Sequence, residues 1–219
     1  MGMGINVRER IAKRAAAEIT DRMTVNLGIG IPTLVANYVP DSMKVMFHAE
    51  NGILGTGPSP KNGDEDANLC NAGGFPITVI PGASYFDSAT AFGIIRRGLV
   101  DVTILGALEV SEKGDLANWI IPGKKVPGVG GAIELAQKSK KVIVLMNHVS
   151  KNGRPKILKA CNLPLTAPQC VDLIITEMAV FEVGTKGLVL LEVMAPYTKE
   201  DVEKYTGAEF AVTENLKTI

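Results

Sequence analysis

Ile11, Ala15 and Ile19 recur every fourth position among Arg8, Glu9, Lys13, Arg14 and Glu18, the period of a helix that buries one stripe and solvates the rest. The next apolar run, Val25 to Leu27, is short and ends in Gly28-Ile29-Gly30, so it reads as a buried strand. Pro32 then suits the first turn of a helix that stops near Pro40. The alternation returns with a strand from Lys44 to Phe47, a loop, a helix from Asp87 to Arg97, and a strand from Val102 to Leu105. A helix from Ala132 to Ser139 and a strand from Val142 to Met146 follow. This order predicts an α/β fold with a largely parallel sheet covered on both faces. The final third differs: VDLIITEMAVFEV and GLVLLEVM are extended apolar segments joined by Gly184-Thr185-Lys186-Gly187, a hairpin connection that makes the sheet mixed. Thr198 before Lys199-Glu200-Asp201 marks the N-cap of a last helix ending near Gly207.

Composition narrows the function classes. A chain of 219 residues with 46% hydrophobic content supports one sizeable core, and no linker, repeat or low-complexity run divides it, so residues 1–219 read as a single domain. Lys plus Arg, 23, equals Asp plus Glu, 23, which removes the one-signed field that draws in nucleic acid or an anionic membrane surface. The charged start and the lack of a long apolar run argue for a cytoplasmic protein. Cys70, Cys161 and Cys170 form no CxxC pair, and with only His48 and His148 beside them no metal site is expected.

Several motifs invite chemistry. Gly28-Ile29-Gly30 follows a strand, but Thr33 stands where the third glycine of GxGxxG belongs, so a tight turn is the plainer reading. A ligand can still lie over that turn, where backbone N–H groups are unhindered. Gly82-Ala83-Ser84-Tyr85-Phe86 fails the GxSxG elbow at its last position, leaving Ser84 or Asp87 to cap the next helix. Asn118 beside Trp119 is either a substrate contact or part of a buried turn. Gly128-Val129-Gly130-Gly131-Ala132, after Pro127, precedes a helix and can aim amides at an anion, or simply close a flexible loop.

Glu50 is the most informative carboxylate. A charged residue beside Asn51-Gly52 is ordinarily a solvated turn residue. Here it ends the apolar run Val45-Met46-Phe47, and Gly52, Gly55 and Gly57 leave room for a ligand around it. A carboxylate so placed acts as nucleophile or base.

Phe47-His48-Ala49-Glu50-Asn51-Gly52-Ile53-Leu54-Gly55 resembles the signature of the family I coenzyme A transferases: Leu or Phe, His or Gln, Ser, Glu, Asn, Gly, two apolar residues and a small one. NLGIGIPTLVAN, GASYFDSA, EVSEKGDLANWIIPGK and GVGGAIELA extend the likeness over nearly the whole chain, which is similar to the β-type chain of 3-oxoacid CoA-transferases. Ala49 departs from the usual Ser and removes a hydroxyl beside the glutamate. The resemblance implies a three-layer α/β/α sandwich with a mostly parallel, partly mixed open sheet, in agreement with the alternation. It implies Glu50 as nucleophile, passing through an anhydride to a glutamyl-CoA thioester, with Gly131 and Ala132 as amide donors. Gly28, Gly30, Asn51 and Asn118 would border coenzyme A, which is a substrate, with no permanently bound cofactor and no metal. It also implies an α subunit partner carrying a Gly-Gly-Phe signature, whose spacing Asn71-Ala72-Gly73-Gly74-Phe75-Pro76 does not reproduce. Acyl-CoA and short-chain carboxylic acids would be the small-molecule partners. Two other readings of the same residues are a sugar-phosphate isomerase-like enzyme with Glu50 as base, and a non-catalytic ligand-binding module. Neither predicts a covalent adduct.

Overall fold

The computed structural model describes residues 5–123, 126 and 128–219; Pro127, expected to flank the glycine run, lies outside them. In chain order the strands are β1 (Thr24–Leu27), β2 (Met46–Ala49), β3 (Ile53–Thr56), β4 (Val79–Tyr85), β5 (Val102–Gly106), β6 (Glu109–Ser111), β7 (Leu116–Ala117), β8 (Lys141–Leu145), β9 (Ile157–Leu158), β10 (Leu173–Ile175), β11 (Ala179–Gly184), β12 (Gly187–Val193) and β13 (Phe210–Thr218). The helices are α1 (Ile5–Ala16), α2 (Ser88–Arg96), α3 (Ala132–Lys138) and α4 (Lys199–Tyr205), with a 3-10 helix over Ile31–Tyr38.

A ten-stranded sheet runs β13-β12-β11-β10-β8-β5-β1-β2-β3-β4. Its centre, β10-β8-β5-β1-β2, is parallel, and antiparallel pairs β10/β11, β11/β12, β2/β3 and β3/β4 extend it at both sides. Parallel centre strands are buried on both faces, and their residues divide by parity between two cores. Val25, Phe47, Val102, Ile104, Ile143 and Leu145 pack under α1 and the 3-10 helix. Leu105, Val142, Val144 and Ile174 pack with Ile95 of α2, Leu135 of α3 and Val202 of α4. This is the expected three-layer α/β/α arrangement. Three short strands, β7-β6-β9, form a separate sheet.

The caps follow from side-chain chemistry. Asp87, not Ser84, caps α2 by accepting from the Thr90 N–H at 2.7 Å, while Ser84 lies inside β4. Thr198 and Asp201 close a reciprocal capping box on α4. Other boundaries differ from the sequence reading. The helix carrying Pro32 is a 3-10 helix; no side chain caps it at Gly30, and the β-branched Thr33 and Val35 favour an α-helix weakly. The segment after Glu50 contains β3 and β4 as well as loop. VDLIITEMAVFEV is two antiparallel strands turned at Thr176-Glu177-Met178, because Thr176 Oγ1 accepts the N–H groups of Met178 and Ala179 at 3.1 and 3.0 Å. Gly207 does not take the left-handed cap conformation; its lack of a side chain admits Leu158, whose Cδ2 would stand 2.9 Å from an added β-carbon.

His148, which follows β8, is fully buried between Thr176 Oγ1 and Thr206 Oγ1, each 3.0 Å from a ring nitrogen. Each hydroxyl is also placed to donate to a backbone carbonyl, Thr206 to Val202 at 2.7 Å and Thr176 to Ala179 at 3.1 Å, so the neutral ring donates from one nitrogen to a threonine oxygen while its other nitrogen competes with a carbonyl for a hydroxyl proton. Burial, reinforced by Lys156, lowers its pKa from 6.5 to about 4. As pH falls the unfolded chain takes up this proton first, so stability present above 6.5 is lost toward 4. Between pH 7 and pH 5 the loss through this ring is expected to be about 2 kcal/mol. Urea midpoints of wild type and His148→Gln at both pH values test this; equal losses would remove the ring as the cause.

Candidate active site

The parallel strands end at one edge of the sheet, and the candidate residues gather there. Glu50 sits in the hairpin loop between β2 and β3, where the Gly52 N–H closes the turn on the Ala49 carbonyl at 3.0 Å. Gly52 holds φ +117°, and a β-carbon there would run into the Phe86 carbonyl oxygen, so only glycine fits.

Below Glu50 a polar row crosses three strands in register. Asn26 of β1 pairs with His48 of β2 on one side and with Thr103 of β5 on the other. Their side chains lie on the α2–α3 face, opposite to Val25, Phe47 and Val102, and are at most 2% exposed. Asn26 Nδ2 donates to Glu50 Oε2 at 3.0 Å and to the His48 carbonyl at 3.1 Å, and its Oδ1 accepts from Thr103 Oγ1 at 3.4 Å. His48 Nδ1 lies 3.3 Å from the same nitrogen, so it is the acceptor of the pair and Nε2 carries the ring proton. Burial lowers the His48 pKa below its usual value, with the Glu50 charge opposing. Among the described residues no cation lies within ion-pair distance of Glu50.

α3 brings the second expected group to the carboxylate. A β-carbon added at Gly131 would stand 3.3 Å from Phe92 Cζ and 3.5 Å from Glu50 Cγ, so this backbone lies against both side chains. An Arg96–Glu134 ion pair, 2.8 Å, ties α2 to α3 beside it. The Gly131 N–H has no acceptor among the described residues, whereas the Ala132 N–H donates to the Val129 carbonyl at 3.2 Å.

The other candidates are more scattered. The Gly28 N–H bonds the Ile104 carbonyl at 2.8 Å, and a β-carbon there would press on β5, so close packing accounts for this glycine. Gly30 has φ +92° and open space around it, and it lines a cavity of about 260 Å³ with Thr33, Ala49 and Phe75. Asn51 is exposed and donates to the Cys70 carbonyl at 2.8 Å. Asn118 donates to the Gly106 carbonyl at 3.1 Å and accepts from Thr166 Oγ1 at 2.6 Å, joining the small sheet to the end of β5. Among the described residues no cluster suited to a metal ion occurs, and no helix is long and apolar enough to cross a membrane.

Comparison with known proteins decides the family. The coenzyme A transferase family model matches residues 8–202. The chain belongs to the coenzyme A transferase family. It is 58% identical over 212 residues to the probable coenzyme A transferase subunit beta of Bacillus subtilis, covering 97% of this chain and 98% of that one. It is 50% identical to the human mitochondrial succinyl-CoA:3-ketoacid coenzyme A transferase 2, covering 97% of this chain but 41% of that protein. Among solved structures, an acyl-CoA transferase of Escherichia coli O157:H7 superposes with a TM-score of 0.76 at 21% identity, over 100% of this chain and 44% of that one. That likeness bears on the fold and agrees with the three-layer sandwich.

Asn26 and Thr103 were missed in the sequence reading, although each carries a signal. Each is a polar residue inside an apolar strand, between Val25 and Leu27 and between Val102 and Ile104.

Proposed function

We propose that the chain, acting as one domain over residues 1–219, is the glutamate-bearing subunit of an acyl-CoA:3-oxoacid coenzyme A transferase. The observation that carries this is Glu50 held by a neutral amide at Oε2, with the Gly131 backbone against its side chain. A carboxylate with one oxygen tethered and no cation on the other is oriented for attack. Glu50 Oε1 attacks the thioester carbonyl, and the carbon–sulfur bond breaks to give an acyl-glutamyl anhydride and coenzyme A thiolate. The thiolate then attacks the glutamyl carbonyl, forming glutamyl-CoA and releasing the donor acid as carboxylate. The acceptor carboxylate reverses these two steps. Gly131 donates to the substrate carbonyl as charge builds there; Ala132 serves as a second donor once its turn to Val129 opens.

Coenzyme A is a substrate in this scheme. Gly30 offers it unobstructed backbone and Gly28 borders the same turn, while Asn51 and Asn118 would contact it through the N–H their present bonds leave over. Relatives named as subunits B or beta, and single-chain relatives of which this chain covers 41%, support an α subunit partner. Exposed Ile29, Phe75 and Tyr85 near the Glu50 edge fit a surface that the partner covers. Three free cysteines accord with a cytoplasmic location. Succinyl-CoA with a 3-ketoacid is the substrate pair that the names of several relatives give.

The test is incubation with acetoacetyl-CoA, with and without an α subunit, followed by mass analysis of the intact chain. A coenzyme A adduct on Glu50 is expected only when both subunits are present. An isomerase or a binding module would give no adduct in either sample, and an adduct with the chain alone would remove the need for the partner.

A further inference from the structure

The cavity of about 260 Å³ lies on the face of β2 opposite to the Asn26–His48 row. Ala49 lines it at the sheet edge, next to Glu50 in the chain. Phe47 lines it two residues back along β2, roughly 7 Å deeper at the rise of a strand. Thr56 of β3 is in register with Phe47 and reaches the same depth, and Leu34 of the 3-10 helix and Ile77 before β4 complete the inner walls. The cavity is therefore a slot that starts beside Glu50 and runs down into the molecule under the 3-10 helix.

Its entry is held from both sides. Asn71 Oδ1 accepts the N–H groups of Gly73 and Phe75 at 2.9 and 3.1 Å, which fixes the loop that carries Phe75. Asn51 Nδ2 ties that loop to the Glu50 hairpin through the Cys70 carbonyl. Across from it Gly30 has no side chain and open space around it, so the way in stays clear. Thr33 spends its hydroxyl on the Gly30 carbonyl at 2.7 Å. Arg8 is the one charged side chain among the described residues that line the cavity, and it is exposed. It sits near the end of α1 that Arg10 fastens to the Glu177 carbonyl, just past β10, so it stands at the mouth and leaves the inner walls neutral.

We infer that this slot takes the tail of the acyl group, and that the 3-oxo acid handled at Glu50 is an uncharged one of medium chain length. The inference rests on the transferase reading above and narrows its substrate class; the bonds made and broken at Glu50 stay as given there. At ~30 Å³ for a water-sized group the slot holds about nine, so the four non-hydrogen atoms that acetoacetyl carries beyond its reacting carbonyl fill roughly half of it, and the eight of 3-oxooctanoyl nearly all. A wall left without a partner forfeits its dispersion contacts, and each further methylene that meets a fitted wall is worth ~10-fold or more in discrimination. A succinyl tail ends instead in a carboxylate, which among Leu34, Phe47 and Ile77 would give up its water with no cation to replace it. The Ala49 methyl suits the same occupant, since it adds no polar group where the tail enters.

The test follows glutamyl-CoA formation in the enzyme assembled with its partner subunit, from a series of acyl-CoA thioesters at limiting concentration. 3-Oxooctanoyl-CoA is expected to react ~10-fold or more faster than acetoacetyl-CoA, and to exceed succinyl-CoA by at least as much. Rates that are equal or fall as the tail lengthens overturn the assignment, and so does a succinyl-CoA rate above that of 3-oxooctanoyl-CoA. Thr56→Met then locates the tail, because the longer side chain occupies the inner half of the slot. The ratio of the 3-oxooctanoyl-CoA rate to the acetoacetyl-CoA rate is expected to drop ~10-fold in this variant. An unchanged ratio in a variant that folds and pairs with its partner overturns the slot as the place of the tail; where the variant does not pair, the wild-type series decides. Absence of a glutamyl-CoA adduct from every thioester is a different result, and it defeats the transferase reading itself.

Discussion

Glu50→Gln is expected to abolish coenzyme A transfer, with a loss of at least ~1000-fold, while the chain folds normally. The amide replaces one carboxylate oxygen by NH₂ at nearly constant shape, and the Asn26 Nδ2 donor can still meet the remaining oxygen in place of Oε2. Folding is spared because Glu50 is only part-buried and makes no ion pair among the described residues. What disappears is the anionic nucleophile: a neutral amide does not displace a thiolate, so neither anhydride nor glutamyl-CoA forms. The measurement is steady-state transfer with both subunits present, alongside intact mass to exclude slow deamidation of Gln back to Glu. Near-normal turnover by a chemically pure variant would show that the carboxylate is not the nucleophile. A variant that also fails to pair with the α subunit would point instead to Glu50 as a structural residue of the hairpin.

Much of this architecture is legible in the sequence because the signals are local. The parity of Val25, Phe47 and Val102 marks buried strands, Thr198 with Asp201 marks a cap, and Thr185-Lys186 is a two-residue turn between paired Gly184 and Gly187. The misses are long-range. β3 contains Gly55, which reads as loop, yet it is the extra residue of a bulge against β2, and its φ of +98° packs it on Ala83. β13 is an edge strand whose FAVTENLKT lacks apolar alternation, and only its parallel pairing with β12 defines it. Glu50 was legible from its glycine-rich surroundings and its motif. Its tether to Asn26 was not, because that contact depends on strand register, and Gly131 was expected beside it only through the resemblance, since the contact depends on how α3 packs against α2.

Gly131→Pro is expected to lower the rate of transfer by ~100-fold or more, roughly 3 kcal/mol, through loss of one amide donor. The substitution suits the question because Gly131 already has φ −82°, close to the angle proline imposes, so its main consequence is removal of the N–H. Gly130, which precedes it, has φ +51° and carries no side chain to meet the proline ring. Gly131→Ala is the control for bulk: it adds the same β-carbon, 3.3 Å from Phe92 Cζ and 3.5 Å from Glu50 Cγ, yet keeps the N–H. Some loss in the Ala variant is expected from that tight fit, and the donor's share is the further loss from Ala to Pro. The steps separate as well, because this amide serves the substrate carbonyl. Gly131→Pro should slow the first release of thiolate from acyl-CoA. If the Pro variant pairs with its partner and releases thiolate as fast as the Ala variant, the Gly131 amide stabilises no transition state, and the glycine is there to let the backbone pass between Phe92 and Glu50.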